Sequence, residues 1–160
     1  MLTRRQLLST GIAAAFAVPW RATAAPGGQS FEVTHTDAEW KKLLTPAQYN
    51  VLRHEGTERA FTSPFLNEKR HGTFACAGCH LDLFASSTKY DSHTGWPSFW
   101  APLDNAVGVT RDASLGIIRD AVHCRRCGGH QGHVFDDGPK PTGLRYCING
   151  VALTFRPDSA

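Results

Sequence analysis

Four cysteines in two pairs, Cys76-Ala77-Gly78-Cys79 and Cys124-Arg125-Arg126-Cys127, are the side chains whose type and spacing say most about chemistry. A tetrahedral zinc ion takes four thiolates at about 2.3 Å, and two tight turns can each supply two of them. Gly78 inside the first pair and Gly128 just after the second suit the left-handed or crowded backbone of a metal knuckle. Two other uses stand beside this one. The four thiols can close two disulfides, or either pair can be a redox motif of the thioredoxin type. The surroundings lack the strand-then-helix setting of a redox pair, which favours a structural zinc site.

The fifth cysteine, Cys147, lies in Leu144-Arg145-Tyr146-Cys147-Ile148-Asn149. A strand period of two puts Arg145, Cys147 and Asn149 on one face and Leu144, Tyr146 and Ile148 on the other. The second face belongs to the core. The first holds a thiol beside a guanidinium and an amide, and a nearby cation favours the thiolate, the reactive form. A lone buried cysteine is more often a small hydrophobe, so the reactive reading depends on its neighbours.

Those neighbours include Gly95-Trp96-Pro97-Ser98-Phe99 and the run Gly128-Gly129-His130-Gln131-Gly132-His133-Val134-Phe135-Asp136-Asp137-Gly138-Pro139. In order with both cysteine pairs and Arg145-Tyr146-Cys147-Ile148-Asn149, they make the chain from Asp37 to Phe155 resemble the peptide-methionine (R)-S-oxide reductases, the B-type methionine sulfoxide reductases. The resemblance implies a mainly β (α+β) fold of two antiparallel sheets with short N-terminal helices, stapled by one structural Zn²⁺ on Cys76, Cys79, Cys124 and Cys127. It implies repair of oxidised proteins and peptides by reduction of the R epimer of methionine sulfoxide, with Cys147 as nucleophile. His130 and His133 are then expected at the sulfoxide, with Arg145 and Asn149 completing the catalytic set. Trp96 is expected as the wall for the substrate methyl, with Phe135 and Asp137 close to the substrate.

The residue types suit that chemistry. A thiolate attacks the sulfoxide sulfur, and the oxygen must gain protons to leave as water, which calls for an acid of near-physiological pKa such as a histidine. A methyl group against an indole gains apolar burial and a sulfur–aromatic contact of ~1 kcal/mol, and Asn149 can orient a water or the sulfoxide oxygen. Plainer readings remain for two features: Trp96 as core, and Asp136-Asp137-Gly138-Pro139 as a turn. The remaining histidines, His35, His54, His71, His80, His93 and His123, are read as surface or structural.

One position departs from the family pattern. Many of its members carry a resolving cysteine just before the Gly-Trp-Pro-Ser-Phe block, and here that position is Thr94. Turnover leaves Cys147 as a sulfenic acid that another thiol must reduce. The expected reductant is external, a thioredoxin-like domain or a small thiol; the alternative is sacrifice of a zinc cysteine.

The elements that must hold these groups are legible in outline. Thr36 with Glu39 has capping-box spacing and predicts a helix through Trp40, Leu43 and Leu44. Thr45-Pro46 with Gln48 predicts a second, through Tyr49 and Leu52 to near Gly56. Beyond Phe74, short apolar or alternating runs between Gly, Pro, Asp and Asn predict antiparallel strands around Leu81–Phe84, Gly95–Trp100, Val107–Val109, Leu115–His123, His133–Phe135, Leu144–Asn149 and Val151–Phe155.

The chain has 160 residues, room for one compact domain. Its 41% hydrophobic and 19% charged residues exclude wholesale disorder and an integral membrane protein. The net charge of +3 comes from Arg4, Arg5 and Arg21. Residues 1–24 hold no acidic residue, start basic, continue with an apolar run from Leu7 to Val18 and end in Ala22-Thr23-Ala24, the pattern of a cleavable targeting peptide. Arg4-Arg5 resembles the twin-arginine signal that exports folded proteins, with ordinary secretion as the competing route. The expectation is a domain over 25–160, monomeric and without stable membrane insertion, in the periplasm or cell envelope of a bacterium. Without the leader the charge is neutral, which argues against nucleic acid. A zinc-knuckle binding module would have no use for the polar set around Cys147, and disulfide exchange by the paired cysteines would not depend on Cys147.

Overall fold

The computed structural model describes residues 30–113, 116 and 118–159. The expected targeting segment, residues 1–24, lies outside the described residues. Among those described, no helix is long and apolar enough to cross a membrane.

Both expected helices form where their caps predict. Helix α1, Asp37–Leu43, and helix α2, Pro46–His54, each begin with a complete capping box: the Thr36 and Thr45 hydroxyls accept the N3 amides, and the Glu39 and Gln48 side chains accept the cap amides. These bonds satisfy helix-start donors that would otherwise be orphaned. Helix α2 ends as Glu55 turns left-handed at φ 55°. Trp40, Val51 and Leu52 face the core, and Arg53 donates to the Cys127 carbonyl at 3.1 Å, so the helices pack over the second cysteine turn.

Among the described residues, nine strands follow. β1 (Gly72–Cys76), β2 (Asp82–Ala85) and β9 (Leu153–Pro157) form one sheet in the order β2-β1-β9. The other runs β3-β4-β8-β7-β6-β5, from β3 (Lys89–Tyr90), β4 (Ser98–Phe99), β5 (Val107–Asp112), β6 (Arg119–Cys124), β7 (His130–Phe135) and β8 (Arg145–Ile148). Every pairing is antiparallel. The mainly β fold of two antiparallel sheets with small helices is therefore as expected.

Aromatic residues fill the space between the sheets. Phe74 and Phe84 come from the first, Phe99 and Tyr146 from the second. Phe84 stacks on Phe99 with centroids 4.4 Å apart, and Phe74 meets Phe99 edge-on at 5.1 Å. Such contacts add directional stabilisation to burial of the rings. Because Tyr146 and Ile148 are buried on this side, the pleat turns Cys147 to the opposite face, as the period of two requires.

Several strand boundaries differ from expectation. β1 and β3 fall outside the expected runs, since Gly72-Thr73-Phe74-Ala75-Cys76 and Lys89-Tyr90 have little apolar alternation. The run Gly95–Trp100 forms strand only at Ser98–Phe99, because Gly95 has φ 93° and Pro97 has no amide to donate. The strand expected from Leu115 is β6, starting at Arg119; Leu115 and Ile117 lie outside the described residues. Val151 belongs to a single 3₁₀ turn, Gly150–Ala152, that precedes β9.

Candidate active site

The two cysteine pairs meet at one point. The Cys76 and Cys127 sulfurs are 3.7 Å apart, those of Cys79 and Cys124 3.5 Å, and all four lie within 4.8 Å of one another. Four thiolates at 2.3 Å around a tetrahedral zinc would have edges of about 3.8 Å, so the separations suit one ion. All five cysteines are free of disulfides. The turns are built alike, with the His80 amide donating to the Cys76 carbonyl and the Gly128 amide to the Cys124 carbonyl. The left-handed residue of each turn is the fourth after its first cysteine: His80 at φ 59° and Gly128 at φ 69°. Gly78 is not left-handed, and a Cβ there would meet only ordinary contacts, so the expectation for it is corrected.

Sheet register gathers the second group. Cys147 in β8 pairs with Ser98 of β4 on one side and with His133 of β7 on the other. Directly opposite residues share a face, so Ser98, Cys147 and His133 form one row across the sheet. His130 would face the other way if β7 were regular, being three residues from His133. The β6–β7 ladder shifts register between Val122 and His123, leaving Gln131 as the extra residue. That bulge turns both imidazoles to one side, with centroids 5.3 Å apart. It also turns the buried Gln131 side chain to donate to Cys76 Sγ at 3.5 Å. At Gly132 any Cβ would fall 2.0 Å from the Cys147 carbonyl oxygen, so only glycine allows β7 this close to β8.

Above this row lies a cavity of about 140 Å³ lined by Thr57, Trp96, Arg119, Gly132, His133, Phe135, Cys147 and Asn149. A wider groove of about 520 Å³ beside α2 has no cysteine or histidine in its wall, so the smaller cavity is where the chemistry can occur. Trp96 is held by its indole N–H, which donates to the Glu58 carbonyl at 3.1 Å. Asn149, buried, accepts from the Glu58 amide at 2.9 Å and donates to the Gln131 carbonyl at 3.0 Å, so its amide is tied to backbone on two sides. The Glu58 carboxylate accepts the Gly150 and Val151 amides at 2.5 and 2.9 Å.

Five of the residues expected at the site thus line the cavity: Cys147, His133, Asn149, Trp96 and Phe135. Three do not. His130 is buried behind His133, and its Nε2 has no hydrogen-bond partner among the described residues. Burial, reinforced by the neighbouring His133, pushes its pKa down to about 4, so it is neutral at physiological pH. Arg145 makes two 2.8 Å bonds to the exposed Asp137 carboxylate and lies 4.3 Å from the centre of the Phe135 ring, so the pair braces the cavity wall from outside.

Burial also governs Cys147. It pushes the thiol pKa above its ordinary value, while the Thr94 hydroxyl and the Arg145 guanidinium pull the other way and are outweighed. The expectation that Arg145 would favour a resting thiolate is corrected: the effect exists with the expected sign, and desolvation exceeds it. Sequence reasoning missed Asp112 and Arg119. They sit opposite each other in β5 and β6, and the Asp112 carboxylate accepts from Arg119 at 2.7 Å and from His133 Nε2 at 2.9 Å. Their only sequence signal is that strand pairing, which no local motif marks. Glu58 lies in a loop and gave no signal.

Comparison with known proteins decides the family. A model of the SelR domain matches residues 44–157. The chain belongs to the MsrB family. The peptide methionine sulfoxide reductase MsrB of Leptospira interrogans is 51% identical over 130 residues, covering 81% of this chain and 99% of the relative. Its namesake in Pseudomonas putida strain W619 is 55% identical over 127 residues, 79% and 96% of the two chains. That in Agrobacterium fabrum is 50% identical over 127 residues, 79% and 94%. The MsrB relationship covers both the four-cysteine cluster and the Cys147 cavity, and agrees with the resemblance carried by the sequence blocks.

Proposed function

We propose that this protein is an oxidoreductase that reduces the R epimer of methionine sulfoxide in peptides and proteins, with Cys147 as its nucleophile. The observation that carries the reading is the thiol of Cys147 in a small cavity walled by Trp96 and Phe135 and reached by His133. A methionine sulfoxide side chain has a methyl that suits the indole and a polar S=O that needs a proton donor.

The reaction balances on these groups. The Cys147 sulfur attacks the sulfoxide sulfur, the oxygen is protonated, and it passes to Cys147 as the transient S–S bond and the sulfoxide S–O bond break and a Cys147 S–O bond forms: thiol plus sulfoxide gives sulfenic acid plus thioether. Methionine sulfoxide is reduced by two electrons and Cys147 oxidised by two. Because the Asp112 carboxylate can only accept, His133 presents Nε2–H to it and keeps Nδ1 for the proton that moves between thiol and sulfoxide oxygen. His130, neutral and buried, serves to pack His133. Two external thiols then reduce the sulfenic acid, releasing water and a disulfide. Thr94 in the resolving position supports an external reductant, thioredoxin-like or a small thiol.

The cysteine cluster would hold Zn²⁺, which supplies a rigid cross-link and takes no part in the redox step. Through Gln131, which touches Cys76 and carries the carbonyl that holds Asn149, the cluster braces the β7–β8 face. We further propose that residues 1–24 direct export, by the twin-arginine route, to a bacterial periplasm or cell envelope and that 25–160 is the enzyme; replacing Arg4-Arg5 by Lys-Lys should retain the protein inside.

The test is reduction of separated R and S epimers of a methionine sulfoxide peptide, with dithiothreitol as reductant, by the wild-type protein and by Cys147→Ser. The reading requires turnover of the R epimer alone and none in the variant. Equal use of both epimers, or activity in Cys147→Ser, overturns it.

A further inference from the structure

The position that lacks a resolving thiol carries a hydroxyl aimed at Cys147. Thr94 Oγ1 lies 3.9 Å from Cys147 Sγ, within sulfur hydrogen-bond range, and 2.8 Å from Ser92 Oγ. Ser92 Oγ is 2.7 Å from Ser98 Oγ, and Ser98 donates to the Trp96 carbonyl at 3.2 Å. Ser98 is fully buried, and Thr94 and Ser92 half-buried.

Each hydroxyl has one proton, so these contacts define a direction. With the Ser98 proton on the Trp96 carbonyl, Ser98 accepts from Ser92, Ser92 from Thr94, and Thr94 from the Cys147 S–H. Loss of the thiol proton leaves sulfur as an acceptor only. The chain then reverses: Thr94 donates to the thiolate, Ser92 to Thr94, and Ser98 to Ser92. We infer that Thr94, Ser92 and Ser98 form a reversible hydroxyl chain that stabilises the Cys147 thiolate when it forms, starting from the position where many family members carry a resolving thiol. Thr94 is then a catalytic residue that touches the reacting sulfur, and Ser92 and Ser98 are positioning residues. The inference rests on Cys147 being the nucleophile.

The chain answers a need created by the site. A half-buried thiol must ionise to react, and desolvation opposes ionisation. Other charged or titratable groups surround the same sulfur: Arg145 from its own strand, Asp137 beyond β7 and the Tyr90 hydroxyl of β3, with His133 and Arg119 in the wall of the shared cavity. All of these are retained in a Thr94 variant, so a comparison at that position isolates the hydroxyl.

The experiment is the pH dependence of iodoacetamide alkylation, followed at the Cys147 peptide by mass spectrometry, in wild type, Thr94→Val and Thr94→Ser. Loss of a charge-assisted hydrogen bond should move the alkylation midpoint of Thr94→Val up by about one pH unit, slowing the reaction roughly tenfold below the midpoint. Thr94→Ser, which keeps the hydroxyl, should stay within about threefold of wild type, and Ser92→Ala should fall between. Coincident profiles for wild type and Thr94→Val overturn the chain while leaving the nucleophile reading intact. Activity in Cys147→Ser would remove the nucleophile and leave the titration result standing as a property of the thiol.

Discussion

Replacing Asp112 by Asn keeps the shape of the His133 partner and removes its charge. In the native protein one carboxylate oxygen accepts from His133 Nε2 at 2.9 Å and from Arg119 at 2.7 Å, with the Asp112 side chain only 12% exposed. A hydrogen bond to a charged group contributes about 1.5–3 kcal/mol and a neutral one about 0.5–1.5. The amide can still accept, so the loss at His133 is the difference, about 1–2 kcal/mol. It falls on the step in which His133 moves a proton, and should lower kcat/KM on an R-sulfoxide peptide roughly tenfold. Asp112→Ala, which also takes this acceptor away from two half-buried donors, should cost more, and Asp112→Glu should recover part of the loss. Steady-state kinetics with thermal melting separates the effect from unfolding. If Asp112→Asn retains kcat/KM within twofold while folded, His133 does not depend on this carboxylate and its assignment as the proton-moving group is refuted.

Other outcomes follow from the same geometry. Extracting the metal with a chelator should release one zinc per chain and lower Tm by roughly ten degrees or more, since the cluster joins the turns after β1 and β6; unchanged melting would show that the cluster holds no structural ion. His130 has its folded pKa lowered to about 4 against an ordinary 6.5. The unfolded chain therefore binds a proton between those values that the folded one does not, and stability should fall by roughly 3 kcal/mol as pH drops from above 6.5 to 4. Urea unfolding should reveal that slope, flattened in His130→Gln. Thr94→Cys would put a thiol close to Cys147, since the native Thr94 hydroxyl is 3.9 Å from Cys147 Sγ. One turnover of that variant without reductant should then leave a disulfide between the introduced thiol and Cys147, detectable as a non-reduced cross-linked peptide, whereas a lasting sulfenic acid would mean that the two sulfurs cannot meet.

Much of the fold was legible because local chemistry agreed with tertiary need. The capping boxes at Thr36 and Thr45 marked both helices, and the alternation around Cys147 assigned core and cavity faces. The paired cysteines marked the cluster by spacing. What escaped depends on contacts between distant segments. Asp112 matters because it lies opposite Arg119 and two strands away from His133, and Glu58 because a loop carries it beneath Trp96 and Gly150. His130 and His133 look equivalent in the sequence, yet the bulge at Gln131 and burial give them different roles. Arg145 is legible as a neighbour of the thiol, but the balance between its charge and desolvation is a property of the folded site.

The central claim is that a single thiol, Cys147, takes the oxygen and keeps it until an external thiol arrives. It is tested most directly by one turnover: reduced, metal-loaded protein mixed with excess R-sulfoxide peptide, no reductant, and a sulfenic-acid trap such as dimedone. The expected result is one methionine formed per chain, the trap on Cys147 alone, and the other four cysteines unmodified with their metal retained. A disulfide joining Cys147 to Cys76, Cys79, Cys124 or Cys127, with metal released, would contradict it.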